Sequence, residues 1–348
     1  MIKVLQFRLF PSKSQLSAIK SQLETHCKLY NECLEYKKTL WETEHKNVTC
    51  NDLIVMKVPL YKGLSNYSAL QQTVRRLGKS YQAFFRQNSS FPRFKNVSRF
   101  RTIQFSKIGD GCKVLDNSIY IQNVGVIPGN FHREMFGKPK TLLITLRNNK
   151  LYVSILFDEK SGVKASRDIN KSVGIDFGIK SIITTSDGDK FVSPTFTKDK
   201  LKDIQRLHRR KNYKALNKVY EKITNRRKDF NHKLSKEIVS KYDIIALEEL
   251  KVESITSDYS NVNRRLYDVG ICQLINFITY KAENAGKLVI MIDPAYTTQT
   301  CTKCGNIVKK ELSERTHNCQ KCGLKIDRDV NAAINIARAG LSSLGVSP

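Results

Sequence analysis

The stretch Lys171-Ser-Val-Gly-Ile-Asp-Phe-Gly-Ile-Lys-Ser-Ile-Ile-Thr-Thr-Ser-Asp-Gly188 places an acidic residue, Asp176, inside a short apolar run. A glycine follows it, and a second run rich in β-branched residues ends at Ser186-Asp-Gly188. The pattern predicts two strands joined by a turn. Because burying a lone carboxylate is costly, Asp176 must be paired, protonated or bound to a metal.

Two later acidic residues have contexts that match Asp176. Glu248 follows the apolar run Ile244-Ile-Ala-Leu247, and Asp329 opens an apolar helix pattern. Each residue alone is more typical of a helix cap or a turn. Together, a strand Asp, a strand-end Glu and a helix Asp, far apart in sequence, are what a ribonuclease H-type fold needs to gather carboxylates around divalent metal. The residue pattern leaves Glu249 and Asp327 open as rivals.

Carboxylate oxygens are hard ligands that suit Mg²⁺ or Mn²⁺. Two such ions, about 3.5 to 4 Å apart, activate water on one side of a phosphodiester and stabilise the leaving oxygen on the other. In this hypothesis Asp176 bridges both ions, and Glu248 and Asp329 each complete one side.

Four of the nine cysteines form two Cys-x-x-Cys-Gly knuckles, separated by fourteen residues. They are Cys301, Cys304, Cys319 and Cys322. Four thiolates close a tetrahedral shell, so this spacing predicts one structural zinc ion with no open coordination position. His317 is an alternative ligand, although we expect it on the surface, and Thr297 and Thr298 are expected to form a turn.

The net charge of +28 over 348 residues points to a polyanionic partner, nucleic acid before an acidic membrane surface. Residues 201–240 carry 13 Lys or Arg against 4 Asp or Glu on a helical pattern, which favours contact with phosphates. Basic and aromatic residues alternate in Phe91-Pro-Arg-Phe-Lys95, which suits backbone contact with base stacking. With no signal peptide and no apolar run of about 18 residues, we expect a cytoplasmic protein without a membrane partner.

The hydrophobic patterns in the first half of the chain predict a small β-barrel with inserted helices. Leu5, Phe7 and Leu9 alternate with polar residues, as in a strand with one wet face. Helical patterns follow, from Ser14 to about Trp41 and over roughly 53–88, and short strands with polar turns fill 98–160. The opening strand is expected to complete the barrel.

Four segments resemble the RuvC-type nuclease domain of the TnpB family, transposon-encoded RNA-guided DNA endonucleases related to type V CRISPR effectors. They are GIDFGIKS (174–181), RRKDFNHKLSKEIVSKYDIIALEEL (226–250), YKAENAGKLVIMIDPAYTTQTCTKCG (280–305) and CQKCGLKIDRDVNAAINI (319–336). The resemblance is close over 170–340 and looser over the first 165 residues. It implies Asp176, Glu248 and Asp329 as catalytic magnesium ligands, in preference to Glu249 and Asp327, and Arg315 as a residue that touches the substrate strand.

The resemblance also implies an architecture. Its C-terminal part is an α/β RNase H-like (RuvC) nuclease domain, residues 166–296 and 324–348, with an inserted zinc ribbon at 297–323. Its N-terminal α+β half consists of a wedge-like β-barrel, residues 1–11 and 92–165, with an inserted helical recognition domain at 12–91.

The function implied is cleavage of target DNA beside a short adjacent motif, directed by a guide RNA from the transposon end. A monomer in a prokaryotic or phage-like setting, associated with the nucleoid, is favoured. Two alternatives stay open: a guided repressor that has lost cleavage, and a guide-independent, structure-selective nuclease.

Overall fold

The computed structural model describes residues 2–135, 137–158, 168–178, 180–249, 270–293, 297–310 and 314–345. The chain divides into two compact units, Met1–Ser161 and Gly162–Pro348. The linker expected at 160–168, apart from Asp168, and the polar loop expected at 254–263 lie outside the described residues. Within the part of the chain described, no helix combines the length and apolarity needed to cross a bilayer.

The first unit contains a seven-stranded, nearly closed, barrel-like sheet. Its strands are β1 (Ile2–Leu9), β2 (Thr102–Phe105), β3 (Cys112–Leu115), β4 (Ser118–Ile121), β5 (Gly125–Asn130), β6 (Lys138–Arg147) and β7 (Lys150–Asp158), in the order β2-β6-β7-β1-β5-β4-β3. β1 pairs antiparallel with β7 from Ile2↔Asp158 to Leu9↔Leu151 and meets β5 at its end. Phe7 and Leu9 are buried and Gln6 and Arg8 exposed, which confirms the predicted alternation.

Three helices lie between β1 and β2: α1 (Lys13–Glu44), α2 (Cys50–Lys57) and α3 (Tyr67–Phe85). A capping box at Ser12 and Gln15 starts α1, and a second at Thr49 and Asp52 starts α2. The polar stretch with Asn47, Cys50 and Asn51 predicts a loop, but α2 begins at Cys50. Helices and barrel share one apolar core, since buried side chains of α1, α3 and the sheet belong to a single cluster.

A buried polar network crosses the helical part of this core. His26 of α1 is fully buried, with Nδ1 2.6 Å from the Thr73 hydroxyl and Nε2 3.0 Å from the Ser65 hydroxyl. Burial, together with the charge of Arg76, lowers the pKa of His26 from 6.5 to about 3. The imidazole is neutral in the folded state.

This histidine predicts acid sensitivity of the first unit. Between pH 3 and 6.5 the unfolded chain binds a proton that the folded chain excludes, so stability falls as the pH drops through this window. In urea unfolding, we expect the free energy of unfolding of the wild type to fall about 1.4 kcal/mol per pH unit more steeply than that of His26→Gln between pH 6 and 4. Equal slopes would contradict the neutral buried imidazole.

The second unit contains a five-stranded sheet of order β10-β9-β8-β11-β12. Its strands are β8 (Ser172–Asp176), β9 (Ser181–Thr185), β10 (Lys190–Val192), β11 (Ile244–Glu248) and β12 (Leu288–Ile292). β8, β11 and β12 are parallel, while β9 pairs antiparallel with β8 and β10 pairs antiparallel with β9. The predicted pair of strands around Asp176 is confirmed.

Three helices pack on this sheet: α5 (Tyr213–Lys241), α6 (Ile271–Asn284) and α7 (Arg328–Ser343). A further helix, α4 (Leu201–Arg209), packs on α5. A small hairpin of β13 (Thr316–Asn318) and β14 (Lys325–Asp327) precedes α7. The basic stretch predicted as one helical region is two helices, because Lys211 takes a φ of 50° and the Asn212 side chain caps α5. α5 and α6 share a core with Val173, Ile175 and Leu247.

α7 packs very closely on the sheet because small residues face each other. A Cβ on Gly174 would lie 2.0 Å from the Ala333 carbonyl oxygen and 2.4 Å from the Ala337 nitrogen, both backbone atoms of α7. Strand periodicity puts Gly174 and Asp176 on the same face of β8. The glycine therefore allows the helix that carries Asp329 to approach the face that carries Asp176.

Gly174→Ala is expected to destabilise the second unit by at least about 2 kcal/mol, because backbone atoms cannot move aside as a side chain can. Chemical unfolding of the purified variant measures this. Gly188→Ala is the control: its Cβ meets open space, so only the unfavourable φ of +92° costs stability, about 1 kcal/mol. Equal losses in the two variants would contradict the close approach of α7.

Candidate metal centres

The carboxylates of Asp176 and Glu248 end neighbouring parallel strands. Ile175 pairs with Leu247, so the next residue along each strand, Asp176 and Glu248, lies at the same edge of the sheet. Strand alternation aims both toward the face on which α7 packs, and α7 brings Asp329 in its first turn. Glu249, the rival of Glu248, is exposed, and its N–H donates to the carbonyl oxygen of Ile292.

The charges of Glu248 and Asp329 are close enough to Asp176 to affect its ionisation. Asp176 is only 8% exposed, and burial, followed by the negative charges of Glu248 and Asp329, raises its pKa from 3.8 to about 8. Burial also raises the pKa of Glu248. A divalent cation would offset both effects, so this donor set fits a hard metal ion.

The two acidic residues before α7 have different roles. Asp327 is the N-cap: its Oδ1 accepts from the N–H groups of Asp329 at 3.0 Å and Val330 at 3.2 Å, and its Oδ2 lies 2.6 Å from Lys190 Nζ. Asp329 caps nothing. Its oxygens lie 3.4 Å from Arg328 Nε and 3.8 Å from Arg315 Nη1. Asp329 has two arginines beside it, and its charge raises the pKa of Asp176 more than that of Asp327 does.

The cysteines form a tighter group. Sγ of Cys301 and Cys322 are 3.6 Å apart, as are those of Cys304 and Cys319, and all four lie within 4.8 Å of one another. Tetrahedral zinc with bonds of about 2.3 Å places its sulfurs about 3.8 Å apart. Among the described Cys, His, Asp and Glu residues this is the only such group. The oxygens of Asp176, Glu248 and Asp329 are therefore not all within 4.8 Å of one another.

The backbone of the knuckles supports the thiolates. Gly305 and Gly323 both take a φ of +71°, which closes each knuckle. The backbone N–H of Cys322 is the main cause that lowers the pKa of Cys319 to about 6, favouring the thiolate that zinc binds. Geometry and donor type both fit a structural zinc ion.

His317 is not a surface residue, contrary to the sequence-based expectation. It is fully buried on β13, and its Nδ1 contacts Lys310 Nζ. Burial lowers its pKa. The β13–β14 hairpin turns this side chain inward. Its position two residues before Cys319 gives no indication of this burial.

Thr297 is the residue near the site that sequence reasoning missed. It lies in a turn, as predicted, but its hydroxyl also donates to Glu248 Oε1 at 2.5 Å. The two residues are 49 positions apart, and no motif links them. Only the fold shows that the segment before the first zinc knuckle touches a carboxylate of the cluster.

A separate basic groove lies in the first unit, along α3 and the segment that follows it. A cavity of about 540 Å³ is lined by the cations Arg76, Arg93, Lys95, Arg99 and Arg101, and by Tyr30, Phe94 and Phe100 among other residues. The guanidinium of Arg76 lies 4.3 Å from the centre of the Phe100 ring and donates to the Thr102 hydroxyl at 2.7 Å. Phe94 remains 56% exposed. Cations beside an exposed ring suit phosphates and a stacked base.

Comparison with known proteins finds that the chain is similar to proteins named TnpB-like and to a Cas12f1. The family described as "Probable transposase" (OrfB_IS605) matches residues 155–257, and that described as "Cas12f1-like, TNB domain" matches residues 272–336. The chain is similar to proteins named TnpB-like over most of its length, as its motifs predict.

Individual relatives match along most of the chain. The Escherichia coli K12 protein named "Putative RNA-guided DNA endonuclease InsQ" is 28% identical, over 93% of this chain and 85% of its own length. The CRISPR-associated endodeoxyribonuclease Cas12f1 of Sulfoacidibacillus thermotolerans is 26% identical, over 87% and 83%. Among solved structures, a Cas12f1 complex with sgRNA and target DNA covers 97% of this chain and 99% of its own, at 18% identity and a TM-score of 0.40.

Proposed function

We propose that this protein is a transposon-associated, RNA-guided DNA endonuclease that hydrolyses phosphodiesters at Asp176, Glu248 and Asp329. The observation that carries the proposal is the buried Asp176, whose carboxyl shares one edge of the sheet with two further acidic side chains. The names of the relatives that match most of the chain support the guided activity.

Asp176, Glu248 and Asp329 would hold Mg²⁺ or Mn²⁺, and the bound ions supply activated water and stabilise the leaving oxygen. The chain's own groups prepare the site. Asp176 sits where water is largely excluded, which strengthens its attraction for a cation. Arg328 and Arg315, beside Asp329, are placed to bind the phosphate of the substrate strand.

We assign residues 166–296 and 324–348 to an RNase H-like (RuvC) nuclease domain and 297–323 to a zinc ribbon inserted in it. The strand order β10-β9-β8-β11-β12, with the first three strands antiparallel and the rest parallel, supports this assignment. In the first half of the chain, we assign residues 1–11 and 92–165 to the wedge-like barrel and 12–91 to the recognition helices. The zinc ion in the ribbon is structural.

Guide RNA and target DNA are the proposed partners. In such a protein, base pairing with the guide supplies sequence specificity while the protein reads backbone and adjacent motif. The net charge of +28 and the groove at Arg76, Arg93 and Lys95 support binding of both.

The experiment is to sequence the RNA that copurifies with the protein and then test cleavage. A plasmid that carries a sequence matched to the guide, flanked by randomised bases, is incubated with the complex and Mg²⁺. The proposal predicts a uniform transcript with one variable end, and cutting of matched plasmids that share a flanking motif. Binding without cutting would indicate a guided repressor. Cutting of branched DNA by RNA-free protein would indicate a structure-selective nuclease.

A further inference from the structure

α7 contacts both candidate metal centres. Asp329 lies in its first turn, and Asn331, Asn335 and Arg338 follow at spacings of four and three, which places them along one stripe of the helix. All three side chains bond to the segment 297–302, which contains the zinc ligand Cys301.

The contacts on this segment are to its backbone. Asn331 accepts from the Thr302 N–H at 3.2 Å and donates to the Thr300 carbonyl oxygen at 2.8 Å. Asn335 donates to the carbonyl oxygens of Thr297 at 2.8 Å and Thr300 at 2.7 Å. Arg338 donates to the carbonyl oxygen of Thr302. Asn331 is fully buried, so its two bonds are shielded from water.

At its other end the same segment reaches a carboxylate. Thr297, 6% exposed, donates its hydroxyl to Glu248 Oε1 at 2.5 Å while Asn335 holds its carbonyl oxygen. A hydroxyl that occupies Oε1 fixes the rotation of the carboxylate and leaves Oε2 for a cation.

We propose that Thr297 is a positioning residue for Glu248, and that the zinc knuckle, through the segment 297–302, fixes this carboxylate for the binding of divalent metal. The inference rests on the proposed function. The zinc ion then has a second effect besides folding of the ribbon: it anchors Cys301, and thereby the segment that orients Glu248.

The test measures Mn²⁺ binding by electron paramagnetic resonance on the RNA-free protein, so that no cleavage is needed. Thr297→Val keeps the shape and removes the donor, and we expect it to bind Mn²⁺ about tenfold more weakly. Thr297→Ser restores the donor and is expected to bind as the wild type does. The matched control is Thr298→Val, at an exposed neighbouring position, which should change nothing.

A double-mutant cycle tests the link to α7. Asn335→Leu alone should weaken Mn²⁺ binding, but it should add little in the Thr297→Val background, because both changes act on the same contact. The zinc content should stay at one ion per chain in Thr297→Val.

Three results would overturn the inference: unchanged Mn²⁺ binding in Thr297→Val, equally weak binding in Thr297→Ser, or loss of zinc from Thr297→Val. A failure of the proposed function has a different signature. In that case Asp176→Asn would bind Mn²⁺ as well as the wild type.

Discussion

Asp176→Asn is expected to lower DNA cleavage at least about 1,000-fold, while the protein still carries its RNA and binds target DNA. The substitution replaces a charged oxygen by an amide at the buried member of the cluster, so the cluster would hold divalent cations much less tightly. It removes little from the fold. In the metal-free protein, burial and the neighbouring carboxylates already disfavour the charge of Asp176.

The measurement is a single-turnover cleavage assay with Mg²⁺, together with thermal unfolding in a buffer without added divalent metal. We expect the melting temperature of the variant in that buffer to equal or exceed that of the wild type. Asp189→Asn is the control, because Asp189 lies half-exposed in the same unit, 2.7 Å from Lys241, and should cut within about twofold of the wild type. A variant at position 176 that still cuts at a comparable rate would remove Asp176 from the chemistry.

Cys319→Ser is expected to reduce bound zinc from one ion per chain to near zero and to abolish cleavage. Cys319 is fully buried and lies 3.6 Å from Cys304 across the cluster, so a shorter, harder oxygen cannot replace its sulfur. In such knuckles the free energy of zinc binding also drives folding, and in isolated zinc peptides it is of the order of 10 kcal/mol or more. Loss of the ion therefore unfolds the segments around the knuckles.

Elemental analysis and thermal unfolding measure these effects. Cys272→Ser is the matched control, because Cys272 is an exposed cysteine on α6 outside the cluster and should keep both zinc and activity. The zinc assignment is wrong if Cys319→Ser retains a full equivalent of the ion, or if the wild type contains none.

Much of the framework could be predicted from local patterns. Alternation identified β1, the apolar run around Asp176 identified β8, and the spacing of Cys301, Cys304, Cys319 and Cys322 identified the thiolate cluster. These features are encoded by neighbours in sequence, where periodicity and spacing are informative. The choice of Asp329 over Asp327 rested on family resemblance, and the structure adds a physical reason, since Asp327 is the helix cap.

The features that escaped prediction depend on contacts between distant residues. Nothing near Thr297 in sequence indicates that its hydroxyl reaches Glu248, because the turn must first be docked on α7. Burial of His317 arises in the same way. The break between α4 and α5 at Lys211 follows from one left-handed residue, for which a continuous helical pattern gave no signal. The sequence around Gly174 predicts an ordinary strand residue, because the need for a glycine there arises from its contact with the distant helix α7.

The most direct test of the central claim is an anomalous-scattering map from crystals of the protein soaked in Mn²⁺. We expect two peaks at the sheet edge, in contact with oxygens of Asp176, Glu248 and Asp329, and neither peak in crystals of Asp176→Asn. Manganese found elsewhere, with this edge free of metal in the wild type, would contradict the assignment of the three carboxylates as a nuclease centre.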